Sequence, residues 1–232
     1  MKKFYSLSQY PGKTGEYYYR RMFAIHRLPY TYTALKCIDI QKDLTNLIKK
    51  NAAGISVSMP FKQSVIQYLD HCHPDVIQFN SCNTIKIENN KTYGYNTDVY
   101  GAKYIIPLFV DIRDNVSILG DGSMATMFKD LIGEGVTLFS RKIGNWGDRH
   151  ADTDVIINCT SFGTSTRDSP LDFLPKCKLV VDLAIKDTQL ELQCFDTGTK
   201  YINGMLFYKY QFMHQYKIYT GIGITIDEIN NI

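Results

Sequence analysis

The chain has 232 residues, 44% of them hydrophobic and 21% charged, with a formal net charge of +3. That is enough for one large or two small domains with a buried core, and the charge is too small and too scattered to predict a nucleic-acid-binding or polybasic membrane surface. No apolar run approaches the ~18 residues of a membrane span, and Met1-Lys2-Lys3 is not followed by a signal-peptide apolar region, so a cytoplasmic protein is expected. The six cysteines, Cys37, Cys72, Cys82, Cys159, Cys177 and Cys194, are dispersed with no CxxC pair, which predicts reduced thiols and neither a disulfide framework nor a zinc site.

In chain order, Phe4 to Ser8, Tyr30 to Leu35 and Gly54 to Ser58 read as strands, and Glu16 to His26, Ile40 to Lys50 and Phe61 to Leu69 between them as helices. Cys82 to Glu88 and Thr92 to Tyr95 read as a hairpin about the Asn89-Asn90 turn. Asn96 or Thr97 then caps a helix that Pro107 ends near Leu108. A second α/β unit starts at Val116, where VSILGDGSMATMFKDL predicts strand, tight glycine turn and amphipathic helix. The apolar runs Val136 to Ser140, Asp154 to Asn158 and Leu179 to Asp182 suit a parallel sheet covered on both faces. Between Arg141 and Asp154 there is no room for a full crossover helix. Met205 to Tyr219 predicts one aromatic-rich helix, with a short one from about Thr225.

Three clusters carry chemistry. GDGSMA, Gly120 to Ala125, has the Gly-x-Gly-x-x-Ala spacing that lets backbone approach a pyrophosphate at a helix N-terminus. At the end of the next strand stand Ser140, Arg141 and Lys142, where a fold preferring NAD places an acidic residue; a guanidinium there favours the 2′-phosphate of NADP. Lys62 follows Pro60 at an expected helix start, whose positive end disfavours an ammonium, whereas a carboxylate such as Asp98 favours it; the pair could supply an exchangeable proton in a charge-compensated site. Without context, Lys62 and Asp98 read first as two surface residues at unrelated helix starts, and the alternatives for the glycine turn and the basic pair are a tight loop and an exposed turn.

The order of motifs resembles the shikimate dehydrogenase family over nearly the whole chain. SVSMPFK resembles the family's NVTxPxK, SCNT its AVNT, GYNTDVYG its GxNTDxxG, and GDGSMA its GAGGA turn. SRK resembles its Asn-Arg-Thr motif, DVIINCTSFG its DxIINATxxG, and NGMLFYKYQ its DGxGMLxxQ, with Tyr219-Thr220-Gly221 at its Trp-x-Gly spacing. The resemblance implies an N-terminal α/β substrate domain, residues 1–100 completed by helices at 205–232, and a Rossmann-like NADP-binding domain with a parallel sheet, residues 101–204, with the active site in the cleft. It implies Lys62 and Asp98 as the catalytic pair. Ser58, Asn83 and Gln211 would hold the substrate's hydroxyls; Ser56 replaces the family's Asn. Gly120, Gly122, Ser123, Met124, Ala125, Ser140, Arg141, Lys142, Thr160, Ser161, Gly163 and Gly204 would line the NADP site.

The departures fall at one end of the ligand. The family binds its substrate's carboxylate with a Ser-x-Ser-Pro segment and a Tyr three residues after a strand-ending Asp. Here the first region reads YPGKTGEYYY, leaving Lys13 and Thr14 as candidate carboxylate ligands, and Ile185 takes the Tyr position. The reading is therefore an NADP-dependent shikimate dehydrogenase-like oxidoreductase, acting on shikimate and 3-dehydroshikimate or on a related cyclitol, quinate-like or aminoshikimate-type substrate. A non-catalytic metabolite-binding paralogue is the alternative, and the expected assembly is a monomer or homodimer. His71-Cys72-His73 lacks a third ligand nearby and reads as a surface turn, not a metal site. The Tyr17 to Arg21 run reads as helix core packing, not a nucleic-acid platform.

Overall fold

The computed structural model describes residues 1–163, 168–185 and 187–232. The chain divides into two compact units, Met1–Thr97 with Phe212–Ile232, and Asp98–Gln211.

The first unit contains β1 (Lys3–Ser8), α1 (Thr14–Ile25), β2 (Thr31–Lys36), α2 (Ile40–Lys49), β3 (Ala52–Val57), β4 (His71–Cys72), α3 (Pro74–Phe79), β5 (Thr84–Glu88) and β6 (Lys91–Tyr95). Its sheet has the order β2-β1-β3-β5-β6-β4. β1 runs parallel to β2 and β3, while β5 is antiparallel to both β3 and β6. Asn89 and Asn90, both with positive φ, make the tight β5–β6 turn, a conformation that asparagine tolerates better than most residues.

α2 is capped by Asp39, whose carboxylate accepts from the Lys42 amide. It buries Ile40, Leu44 and Leu47 at helical spacing, in a core shared with Leu7, Ile55, Val57 and Ile85. A second, aromatic core joins Phe4, Tyr19 and Phe23 to Phe212, Tyr216 and Tyr219. Tyr18 and Tyr19 are buried, in keeping with a core role for that run. Tyr17 is exposed and lies under the Arg21 guanidinium.

The expected helix over Phe61 to Leu69 is not an α-helix. After the cis Met59–Pro60 bond the chain makes successive turns ending in a single 3-10 turn, Ile66–Tyr68. Mixed three- and four-residue hydrogen bonds, such as Phe61 N to Ser58 O and Val65 N to Phe61 O, replace a regular ladder. Nor does His71-Cys72-His73 form a surface turn: His71 and Cys72 pair with β6, and His73 caps α3.

The second unit contains α4 (Asp98–Phe109), β7 (Val116–Leu119), α5 (Ser123–Ile132), β8 (Val136–Phe139), β9 (Val155–Asn158), β10 (Leu179–Asp182), α6 (Gln189–Thr197), β11 (Lys200–Ile202) and the start of α7 (Gly204–Thr220). The last short helix, α8 (Ile226–Asn230), belongs to the first unit and opens on a Thr225/Glu228 capping box. The second sheet, β11-β10-β9-β7-β8, is parallel at every pairing. β7, β9 and β10 are buried at every residue, including Ser117 within β7 and the polar ends Asn158 and Asp182 of the other two. β8 and β9 are joined by a turn at Gly144 and a 3-10 turn, Trp146–Asp148, instead of a crossover helix. Pro107 does not end α4, which continues to Phe109; proline's fixed φ is helical, and near a C-terminus only one donor is lost. No helix among the described residues is long and apolar enough to cross a membrane.

Candidate active site

Two backbone contacts lace the SVSMPFK and SCNT segments together in the first unit: Val57 N donates to Asn83 O at 2.8 Å, and Cys82 N to Lys62 O at 2.8 Å. Ser58, which follows β3 directly, donates its amide to Leu7 O and accepts from Phe61 N. Ser58, Lys62 and Asn83 are thus gathered where β1 and β3 end and β5 begins. Lys62 lies in the turn segment after Pro60 and not at the start of an α-helix of its own, contrary to expectation.

Asn83 is buried and rigidly held. Its Oδ1 accepts from the Thr97 amide and the Thr84 hydroxyl, both at 2.8 Å, and its Nδ2 donates to Thr97 Oγ1 at 2.9 Å. Behind it, Tyr19 OH donates to Gln215 Oε1, and Gln215 Nε2 donates to Thr84 Oγ1. Asp98, next along from Thr97, is the first residue of α4 and buried, at the helix end whose amides favour a carboxylate. Sequence reasoning treated the adjacent Asn96 only as a possible cap. It is 1% exposed, and neither of its side-chain amide atoms has a hydrogen-bond partner, a cost of about 1–3 kcal/mol per group. Its place inside GYNTD was the available signal.

Ser56 holds Tyr32 and Tyr219 together: Tyr32 OH donates to Ser56 Oγ at 2.8 Å, and Ser56 Oγ lies 3.1 Å from Tyr219 OH. Burial pushes the Tyr32 phenol up to about 12, and the Tyr219 phenol is likewise well above its ordinary value. Gly54 lets Tyr219 lie across β3, since a Cβ there would come 2.7 Å from the ring. Thr14 begins α1, and Lys13 is its exposed N-cap. Lys13 lines a groove between α1 and the β2 region with Glu16, Arg20, Tyr30 and Tyr32, which does not include Ser58, Lys62 or Asn83.

In the second unit, Gln211 is buried with its Cβ 3.2 Å from the position a Gly101 Cβ would take, so Gly101 lets α7 approach α4 closely. The glycine turn runs from Gly120, at φ +114°, to Gly122, the N-cap of α5. A Cβ on Gly120 would stand 3.3 Å from the Cys159 backbone, whereas one on Gly122 would meet nothing within 4 Å. Ser123 and Met124 open the helix, and Ala125 is fully buried beneath it. The α5 first turn has no acidic residue and Gly122 makes no side-chain cap. Within the helix, then, no acidic side chain occupies the first-turn amides, which suits a dinucleotide's pyrophosphate; the one carboxylate of the turn, Asp121, precedes the N-cap.

Asp182 organises the neighbouring strand ends. It accepts from Asn158 Nδ2, the Ala184 amide, Thr188 Oγ1 and Tyr201 OH at 2.9–3.1 Å, and burial raises its carboxyl above the usual range. Asn158 Oδ1 in turn fixes Thr160 through its amide and hydroxyl, setting the course of Thr160, Ser161 and Gly163. Gly163, at φ +81°, packs where a Cβ would lie 2.7 Å from Thr188. Cys159 carries a thiol raised well above its ordinary value by burial, so it is not poised as a nucleophile.

Arg141 and Lys142 are exposed and make no ion pair with a described residue. Ser140 takes a different part from the one expected. The residue is 4% exposed, and its hydroxyl donates to Asp121 Oδ2 at 3.1 Å and accepts from the Ile143 amide, so its single proton is already committed within the protein. No cluster of metal-ligating side chains occurs among the described residues.

The family profile of the shikimate dehydrogenase substrate binding domain matches residues 16–85. Shikimate dehydrogenase (NADP(+)) of Aquifex aeolicus is 30% identical over 192 residues, 72% of this chain and 71% of that protein. The crystal structure of the shikimate dehydrogenase from Aquifex aeolicus superposes with a TM-score of 0.84 at 24% identity, covering 99% of this chain and 97% of that one. The Thermus thermophilus shikimate 5-dehydrogenase, solved with NADP(H) and shikimate, gives 0.83 at 17% identity, covering 100% and 98%. With a relative 30% identical over 72% of this chain and 71% of its own length, the chain belongs to the shikimate dehydrogenase family.

Proposed function

We propose that the protein is an NADP-dependent dehydrogenase that interconverts 3-dehydroshikimate and shikimate, or a closely related cyclic keto acid and its alcohol. The observation that carries this reading is the lacing of Val57 to Asn83 and of Lys62 to Cys82, which gathers a hydroxyl, an ammonium and a fixed amide at the strand ends where α/β proteins bind ligands. NADP(H), when bound, supplies or accepts the hydride. Lys62 moves the proton at the reacting ring oxygen, and Asp98 positions that group and balances its charge. Ser58, Asn83 and Gln211 orient the ring through its hydroxyls. Met1–Thr97 with Phe212–Ile232 is read as the substrate domain and Asp98–Gln211 as the cofactor domain. All six cysteines are free, which fits a reducing cytoplasm.

NADPH oxidation followed across a panel of cyclic keto acids and ketones tests the assignment. Turnover should be highest with 3-dehydroshikimate or a near analogue, and no turnover with any cyclic ketone would leave only the metabolite-binding alternative. Ile185 and the missing serines favour a second reading, in which the preferred substrate differs from shikimate at its carboxylate end.

Lys13 and Thr14 are read as carboxylate ligands. They stand at the positive end of α1, where the one acidic residue of the first turn, Glu16, is engaged by the Ala34 amide at 2.7 Å. Lys13→Ala is expected to raise KM for a carboxylated substrate about tenfold, the equivalent of one lost charged hydrogen bond, with a smaller effect at high salt. An unchanged KM in both Lys13→Ala and Thr14→Ala would remove them from the site.

Arg141→Ala is expected to lower kcat/KM for NADPH by about tenfold or more while leaving NADH nearly unaffected, because only NADPH offers the guanidinium a 2′-phosphate. Equal kcat/KM for the two cofactors in the unaltered protein would contradict this use of the basic pair.

A further inference from the structure

The committed proton of Ser140 exposes a conflict inside the proposed nucleotide site. Asp121 lies between Gly120 and Gly122, in the turn that would face the pyrophosphate, and its carboxylate is tied at 3.1 Å to the first residue of the Ser140-Arg141-Lys142 turn. That turn is itself braced: Ser140 N donates to Asn145 Oδ1, Asn145 Nδ2 to Leu138 O, and Ile143 N to Ser140 Oγ. An exposed carboxylate is thus anchored between the two segments that an adenosine ribose must bridge. Carboxylates accept well from a ribose diol and repel a phosphate of charge close to −2.

We propose that Asp121 is a specificity-determining residue: oriented by Ser140, it accepts from the adenosine ribose hydroxyls and opposes the 2′-phosphate that Arg141 and Lys142 attract. The inference rests on the reading of Asp98–Gln211 as the dinucleotide unit. Its consequence is a discrimination between NADP and NAD smaller than the basic pair alone would give. Asp121→Asn keeps the size of the side chain and an acceptor for Ser140 while removing the charge.

Calorimetric titration of the whole protein with 2′,5′-ADP and with 5′-AMP, which differ only in the 2′-phosphate, tests the proposal without turnover. Asp121→Asn is expected to raise the ratio of the 5′-AMP to the 2′,5′-ADP dissociation constant by roughly tenfold at low salt, and by much less at high salt, as a nearby screened charge dictates. Ser140→Ala, which leaves the charge in place, should raise the ratio far less. A ratio within twofold of the unaltered protein in Asp121→Asn would overturn the inference while leaving the dinucleotide reading intact. An equal rise in Ser140→Ala would overturn it too, by assigning the effect to turn geometry instead of charge. Failure of the unaltered protein to bind either nucleotide would remove both the inference and the reading beneath it.

Discussion

Replacing Lys62 with alanine is expected to lower kcat for reduction of the cyclic keto acid by at least about a hundredfold, the usual cost of a lost acid/base group. The KM for NADPH should change little, because Lys62 belongs to the Ser58–Asn83 cluster of the first unit and not to the glycine turn. Its backbone carbonyl, not its side chain, accepts from Cys82, so truncation removes the ammonium while leaving the lacing intact. Asp98→Asn should harm both kcat and the substrate KM, since that carboxylate is read as both positioning and balancing the charge. Steady-state kinetics at saturating NADPH decide the matter. Near-normal kcat in Lys62→Ala would assign the proton to another group.

Gly204→Ala is expected to be the most destabilising single-methyl change in the second unit. A Cβ at this position would lie 2.2 Å from Leu183 O, 2.5 Å from Leu183 C and 2.9 Å from Ala184 O. These are backbone atoms, held in place because Gly204 N donates to Ala184 O at 2.8 Å and Ala184 N to Asp182 at 3.0 Å. No side chain can swing aside to relieve the overlap, so a loss of about 3 kcal/mol or more follows, at the upper end for overpacking. Gly223, whose added Cβ meets nothing within 4 Å, is the matched control and should cost less than about 1 kcal/mol as alanine. Urea unfolding followed by circular dichroism compares the two; equal midpoints would show that the turn after Asp182 yields more readily than its hydrogen bonds suggest.

The parallel sheet of the second unit was legible because β7, β9 and β10 are buried at every residue and read as short, mostly apolar, β-branched runs, a pattern that survives without neighbouring context. The glycine turn was legible for a related reason: the positive φ of Gly120, with its close approach to the Cys159 backbone, is a demand that few other residues meet. The segment after Pro60 was misread because its apolar residues, Phe61, Val65, Ile66 and Leu69, mimic helical spacing while the backbone closes three- and four-residue turns in mixture. β4 and β11 passed unnoticed, being two and three residues long and defined by their pairing partners, not by periodicity. At the candidate site, the order of motifs and the resemblance it carries pointed to Lys62, Asn83 and Asp98, whereas residue types alone did not. That Ser140 spends its proton on Asp121 could not be read, because it depends on two turns 19 residues apart meeting.

The short connection between β8 and β9 leaves the chain with a built-in optical probe. Trp146, the sole tryptophan in the sequence, sits in that connection, packed partly buried against the core formed by Leu119, Phe139, Ile156 and Leu171. Its ring lies beneath the Arg149 guanidinium at 4.9 Å, and Arg149 in turn bonds Pro170 O and Asp172. Where a crossover helix would carry its own ladder of backbone bonds, this stretch is held chiefly by side-chain ties, the class of structure that opens first under mild denaturant. Indole emission should therefore register the fraying of one edge of the second unit while circular dichroism still registers an intact fold, and any separation between the two signals would time the loss of that edge against the melting of the sheet it covers.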